Sequence, residues 1–423
     1  MSAEGASRDV TWRDAGLRAK PLRALNVVGA GLRGLGLDLP SLDPDSIARA
    51  ARRRAGLDDF GGPGWREALE VLCLSLELEA RLTTFGRMAL RAQLVGALET
   101  RLRLIHWAAR HPEVRDEVIE RPWVVVGLPR TGTTLLSLLL GLDPAVRPLL
   151  AWEAASPVPP PDLAGHAEDP RIAQNAKQTA QLEALNPAIL AMHPMGATLP
   201  TECVSLLFLD LRSLLIETQG FVPSYGRWLQ DADMGGAYAM HRLALQVLQS
   251  RMPTETWSLK TPQHLWSLDA LLETYPDARI VWTHRDPARV VPSTASLNLS
   301  LQRLNSSRGD PLEVGADWND KLHLAVSRGI AFDEARDGAE WCAHLQYAEL
   351  MADPIAAVRG LYARFGDEVS PLHARRMEAW MRDRPQDVHG RHRYELADFG
   401  LTREGLEERY EAYCKRFGVP KES

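Results

Sequence analysis

The chain has 423 residues, with 49 lysines and arginines against 55 aspartates and glutamates and a formal net charge of −6. That balance argues against a protein that coats nucleic acid, and it leaves room for a local basic pocket that holds a small anion. Hydrophobic residues make up 45% and charged residues 25%, enough for a large buried core, and the length suits one sizeable α/β domain with helical attachments.

The start, "MSAEGASRDVTWRDAG", is polar and mixed in charge, without the apolar core of a secretory signal, and the run "LLSLLLGL" at 135–142 is too short to span a bilayer. A cytoplasmic enzyme without a transmembrane segment is expected. Cys73, Cys203, Cys342 and Cys414 are scattered and form no CxxC pair, so neither a zinc site nor a disulfide framework is suggested.

Residues 1–40 read as an N-terminal extension. Over 41–112 the pattern is helical: "SLDPDSIARAARRRAGLDDFGGPG" offers N-cap candidates, a short helix and a Gly/Pro stop at Gly61–Gly64. Leu69, Leu72 and Leu76, then Leu94, Leu98, Leu102 and Ile105, recur at intervals that place each group on one helical face. These helices are expected to form a layer on the following domain. After Arg121-Pro122 come a β-branched run at 123–126, a Gly-rich turn and an apolar helix ending near "GLDP". Further strands are expected at 256–259, at 278–284 in "ARIVWTH" and at 340–347 in "EWCAHLQY", with a helix in "LWSLDALLETYP". Strands alternating with helices predict a parallel sheet of the P-loop type flanked by helices. The expected organisation is a helical region over 41–120 and an α/β domain over 121–423, with insertions at 151–250 and 297–335 for a lid and acceptor pocket.

Residues 127–134, "GLPRTGTT", fit the phosphate-loop pattern GxxxxGK[ST] except that a threonine stands where ATP and GTP enzymes need lysine. The cation has moved to Arg130, while Thr131, Gly132, Thr133 and Thr134 still make a cradle for one phosphate at a helix N-terminus. A second anion site is suggested by "THRDPARVVPS", with Arg285 at a strand end and Ser293 early in a helix, although an Arg-Asp pair there also suits a structural salt bridge.

Taken in order, "GLPRTGTTLL", "KTPQH", "RIVWTHRDPARVVPS", "LQYAELMADP" and "GRHRYELADFGL" resemble the bacterial branch of the sulfotransferases that use 3′-phosphoadenosine 5′-phosphosulfate (PAPS), over residues 120–402. The resemblance implies sulfuryl transfer from PAPS to a hydroxyl or amine of a small-molecule acceptor, by in-line displacement without a metal and with adenosine 3′,5′-bisphosphate (PAP) as product. It implies that Arg130, Thr131, Gly132, Thr133 and Thr134 bind the 5′-phosphosulfate and Arg285 and Ser293 the 3′-phosphate. The segment with Arg391 corresponds to the basic segment that closes over that phosphate, though "GRHR" departs from the RKG form of animal cytosolic enzymes. Lys260 resembles the family's active-site lysine and, with Arg130, is expected to stabilise the leaving oxygen.

The base that takes the acceptor proton has three candidates. Glu153 falls where tyrosylprotein sulfotransferases carry their catalytic glutamate and ranks first, followed by His193 and Glu202, a polar pair in an apolar stretch. Pro262 stands where cytosolic sulfotransferases place a histidine, and His264 lies two residues further on. Apolar residues at 204–215, with Phe221, Tyr225 and Trp228, suit a hydrophobic acceptor, and a helix packed into the core has the same composition. A P-loop kinase or NTPase and a non-catalytic PAP- or PAPS-binding protein are the alternatives; a homo-oligomer is left open.

Overall fold

The fold was analysed in a computed structural model that describes residues 9–17, 19–187, 189, 195–307, 309–336, 341–383 and 391–422. A two-residue strand β1 (Asp9–Val10) precedes helix α1 (Lys20–Gly34), α2 (Pro44–Ala55), α3 (Gly64–Leu78) and α4 (Thr84–Arg110). The central strand β2 (Trp123–Gly127) leads into α5 (Thr133–Leu140), and β3 (Val146–Pro148), β4 (Thr256–Lys260), β5 (Arg279–His284) and β6 (Cys342–Gln346) complete a five-stranded sheet of order β3-β4-β2-β5-β6. Every pairing in it is parallel.

The sheet is buried on both faces, as a parallel sheet must be when its crossovers are helices. Side chains alternate along a strand, so Val124 and Val126 of β2 join one core while Trp123 and Val125 join another. The first core continues into Leu69, Leu72, Leu94 and Leu98 of the N-terminal helices, which therefore share a core with the sheet. The second is closed by Leu136, Leu139 and Leu140 of α5 with Leu361 and Tyr362 from the helix Pro354–Arg364.

Strands β2, β4 and β5 are adjacent, and the chain leaves β2 towards one edge and later crosses to the other. Their C-terminal ends therefore meet at the switch point where open α/β sheets bind ligands. The "GLPRTGTT" turn, Lys260 and Arg285 sit at those three ends.

Three features add to the sequence expectation. Strand β3 was not foreseen: it is a three-residue edge strand ending in Pro148, too short to show alternation. The extension over 1–40 contains α1, held where Asn26 Oδ1 accepts the Phe85 N–H at 2.9 Å and where Gly29 meets α4; a Cβ there would stand 1.7 Å from Thr84 Oγ1. Residues 297–305 continue the helix Pro287–Asn305 begun before them, and the helix Pro311–Glu334 packs beside it. The strand β1 pairs in parallel with β7 (Arg391–His392), Asp9 opposite Arg391 and Val10 opposite His392, which joins the N-terminal extension to the C-terminal basic segment.

Candidate active site

The turn after β2 is shaped by three residues at positive φ: Gly127 at 136°, Arg130 at 67° and Gly132 at 86°. A side chain at Gly127 would place its Cβ 2.5 Å from Thr283 Oγ1 on the neighbouring strand, so close approach as well as conformation demands glycine there. The turn delivers the chain into α5, whose first N–H groups have no carbonyl partner within the helix and point towards any bound anion. Thr131 serves the turn itself: its hydroxyl donates to Leu128 O at 2.7 Å and lies 2.6 Å from Thr283 Oγ1, fully buried. Thr133 is buried as well and Thr134 half-exposed.

At the end of β4, the Lys260 ammonium donates to Glu202 Oε1 at 3.1 Å and to Thr134 Oγ1 at 3.4 Å. Glu202 is brought there by backbone pairing: the Thr201 N–H donates to Leu149 O at 2.8 Å and the Cys203 N–H to Lys260 O at 2.8 Å. A cation, a carboxylate and the first turn of α5 thus converge on one point.

The geometry beyond β5 is equally specific. Arg130 Nε donates to Ser293 Oγ at 3.2 Å, which puts the two expected anion positions side by side. Burial, opposed by Tyr394 and aided by the neighbouring Arg285 charge, draws the Arg130 guanidinium below its ordinary value. Arg285 Nη1 donates to Arg130 O at 2.9 Å, which supports the left-handed backbone there. The other edge of Arg285 is taken by Glu422, Nε to Oε1 at 2.7 Å and Nη2 to Oε2 at 2.9 Å, and the guanidinium lies 3.8 Å over the Tyr347 ring. Burial alone would lower Arg285; the Glu422 carboxylate, Tyr347 and Tyr394 together outweigh burial and raise the group.

The segment carrying Arg391 borders this end. His392 Nε2 lies 2.8 Å from Ser296 Oγ, and burial followed by the Arg130 charge holds its imidazole neutral, at about 3. The Tyr394 hydroxyl donates to Arg289 O at 3.1 Å. The backbone of Arg391 lies in β7, and the description does not extend to its side chain.

The candidate bases fare differently. Glu153 is fully buried in the helix Ala151–Ala155; Oε1 accepts from Arg147 Nη2 at 2.6 Å and from His166 Nε2 at 3.0 Å, and Oε2 from the Leu150 N–H at 3.3 Å. Burial would raise its carboxyl, but the hydrogen bond from His166 and the charge and hydrogen bond of Arg147 prevail and lower it. Glu202 keeps 24% of its side chain exposed beside Lys260. His193 lies outside the described residues. His264 is wholly buried with Nδ1 2.7 Å from the Tyr238 hydroxyl, and burial keeps its imidazole neutral.

Glu422, Thr283 and Tyr347 were missed in the sequence. The first two are separated from their partners by most of a domain or by a strand crossing, and no spacing pattern marks them. His392 stood within a segment already singled out for its arginines.

Among the described residues no helix is long and apolar enough to cross a membrane. Residues 122–371 match the model of the Sulfotransferase family. Curated relatives named omega-hydroxy-beta-dihydromenaquinone-9 sulfotransferase Stf3, from Mycobacterium bovis and Mycobacterium tuberculosis, are 30% identical over 114 residues. That stretch is 26% of this chain, which thus spans only 29% of the length of those relatives. Two solved structures correspond over nearly their whole length. Sulfotransferase STF1 from Mycobacterium tuberculosis is 36% identical with a TM-score of 0.78, covering 87% of this chain and 98% of its own. STF9 from Mycobacterium avium is 34% identical with a TM-score of 0.83, covering 92% and 99%. With more than half its length matched by the family model and these two structures alike along almost the entire fold, the chain belongs to the sulfotransferase family.

Proposed function

We propose that the protein moves a sulfuryl group from PAPS to a hydroxyl of a hydrophobic small molecule, with Glu202 as general base. The observation that carries this reading is the Glu202–Lys260–Thr134 contact at the head of α5. The amides of Gly132–Thr134 and the Thr134 hydroxyl hold the phosphosulfate, and Thr131 supports the turn from within. Lys260 and Arg130 stabilise the oxygen that bridges phosphorus and sulfur as negative charge builds on it. Glu202 takes the acceptor proton as the new S–O bond forms, while the old S–O bond breaks and its electron pair stays with the phosphate of PAP. Ser293 receives the 3′-phosphate, with Arg285 rotating from Glu422 to join it and the Arg391 segment covering the site.

Glu153 is placed second as a base. A carboxylate locked to Arg147 and His166 in the interior has lowered proton affinity and no exposed surface to offer an acceptor. The acceptor class draws support from the relatives whose name specifies an omega-hydroxylated menaquinone, a hydroxyl on a hydrophobic molecule.

Thermal unfolding with PAP, AMP, and ATP with Mg²⁺ tests the donor. A native-state ligand at about a hundred times its Kd stabilises by about 2.7 kcal/mol, so PAP is expected to raise Tm by several degrees and AMP far less. Equal shifts from PAP and AMP would remove Arg285 and Ser293 from their assigned role.

A further inference from the structure

We propose that Cys203, His241 and His264 form a buried transition-metal site, with zinc as the fitting ion, that clamps the Glu202 loop to the Lys260 strand. The three residues come from three elements: Cys203 follows Glu202, His241 lies in the helix Gly235–Gln249, and His264 in the 3₁₀ turn Pro262–Trp266 just beyond β4. All three are fully buried, and one ligand atom from each lies within 4.8 Å of the others. The lack of CxxC spacing, which argued against a zinc site in the sequence, does not bear on a site assembled from distant segments.

The hydrogen bonding singles out the ligating atoms. His241 Nδ1 lies 2.7 Å from the Tyr275 hydroxyl and His264 Nδ1 2.7 Å from the Tyr238 hydroxyl. Both Nε2 atoms are buried without a hydrogen-bond partner among the described residues. An orphaned imidazole nitrogen in a core is costly, and two such imidazoles in one cluster with a thiol call for a common partner. Metal-bound histidines present this arrangement: one nitrogen on the ion, the other fixed by an oxygen that sets ring orientation.

Zinc bonds of about 2.3 Å to sulfur and about 2.0 Å to nitrogen require the ligand atoms to close in by about 1 Å. A thiolate with two imidazoles selects zinc or copper(I) over magnesium and calcium. On binding, the Cys203 thiol releases its proton to solvent during folding, and both imidazoles bind neutral with Nδ1–H donated to the tyrosine hydroxyls; a water completes the tetrahedron. The ion takes no part in sulfuryl transfer. Its place is positional, because the Cys203 N–H already donates to Lys260 O and Cys203 adjoins Glu202.

The test uses full-length protein without a polyhistidine tag, produced with added zinc and dialysed. Elemental analysis is expected to find about one metal per chain in the wild type and under a tenth of that in Cys203→Ala and His264→Gln. Should the variants fail to fold, cobalt(II) exchange into the wild type decides: a thiolate-to-cobalt charge-transfer band with tetrahedral d–d bands supports the site. Wild-type protein with under about a tenth of an equivalent and no cobalt–thiolate band, or metal retained in folded Cys203→Ala, overturns it.

Discussion

Glu153 and Glu202 lie on segments that run side by side, joined by an antiparallel bridge between Leu150 and Pro200, yet the fold gives them opposite fates. Glu153 turns inward, where Arg147 and His166 satisfy it, and its charge ties β3 to the helix Ala151–Ala155 and to His166. Glu202 turns to the ends of the strands and meets Lys260 with part of its surface still open. Residue type and apolar surroundings are the same in both segments. What separates a structural carboxylate from a candidate base is access: the Glu153 side chain is fully buried, whereas that of Glu202 is partly open at the strand ends.

Substitutions can break that comparison. The largest expected effect is on turnover in Glu202→Gln, a fall of about 10²–10⁴ with PAP binding retained, read from sulfate transfer and PAP titration. In Lys260→Ala turnover should fall about 10²–10³-fold, again with PAP binding changed little, because the lysine acts mainly on charge that develops in the transition state. Unchanged activity in this variant would remove the lysine from the leaving-oxygen role.

Glu153→Gln should act on stability, costing about 3–5 kcal/mol by leaving Arg147 buried without its counter-charge, measured by denaturant unfolding. The sign with pH follows from the lowered Glu153 carboxyl. Its contribution is present above the ordinary value of 4.5 and is lost as pH falls through the lower folded-state value, so the gap between wild type and variant should narrow in acid. A gap that is constant with pH would show that the ion pair is not its source.

The smallest effect sharpens the proposed 3′-phosphate site. Glu422 occupies the edge of Arg285 that a phosphate would use, and Glu422→Gln should tighten PAP binding by up to about tenfold in calorimetry. Affinity that falls instead would mean that Arg285 acts only through its hold on the Arg130 carbonyl.

How much of this was legible beforehand depends on the reach of the interaction. Strands β2, β4 and β5 could be read from short buried runs bounded by turns, and the "GLPRTGTT" turn from its glycines, because both signals are local. Strand β3 has three residues and a proline, too little for periodicity to register. Lys260 and Glu202 were both on the page as separate candidates, but their 3.1 Å contact is made by backbone pairing between distant segments, which spacing does not encode. Thr131 looked like a phosphate ligand by position; its hydroxyl is used by Leu128 and Thr283 across the sheet. The Arg285–Glu422 pair and the Cys203–His241–His264 cluster are likewise products of tertiary closure.

The central claim, that Glu202 rather than Glu153 is the base, is tested most directly by single-turnover transfer from radiolabelled PAPS to a panel of hydrophobic alcohols. Rates should be expressed per folded molecule for both glutamine variants side by side. The account predicts near wild-type transfer in Glu153→Gln and a loss of at least about a hundredfold in Glu202→Gln. The reverse order, with Glu202→Gln fully active and folded Glu153→Gln inert, would contradict it.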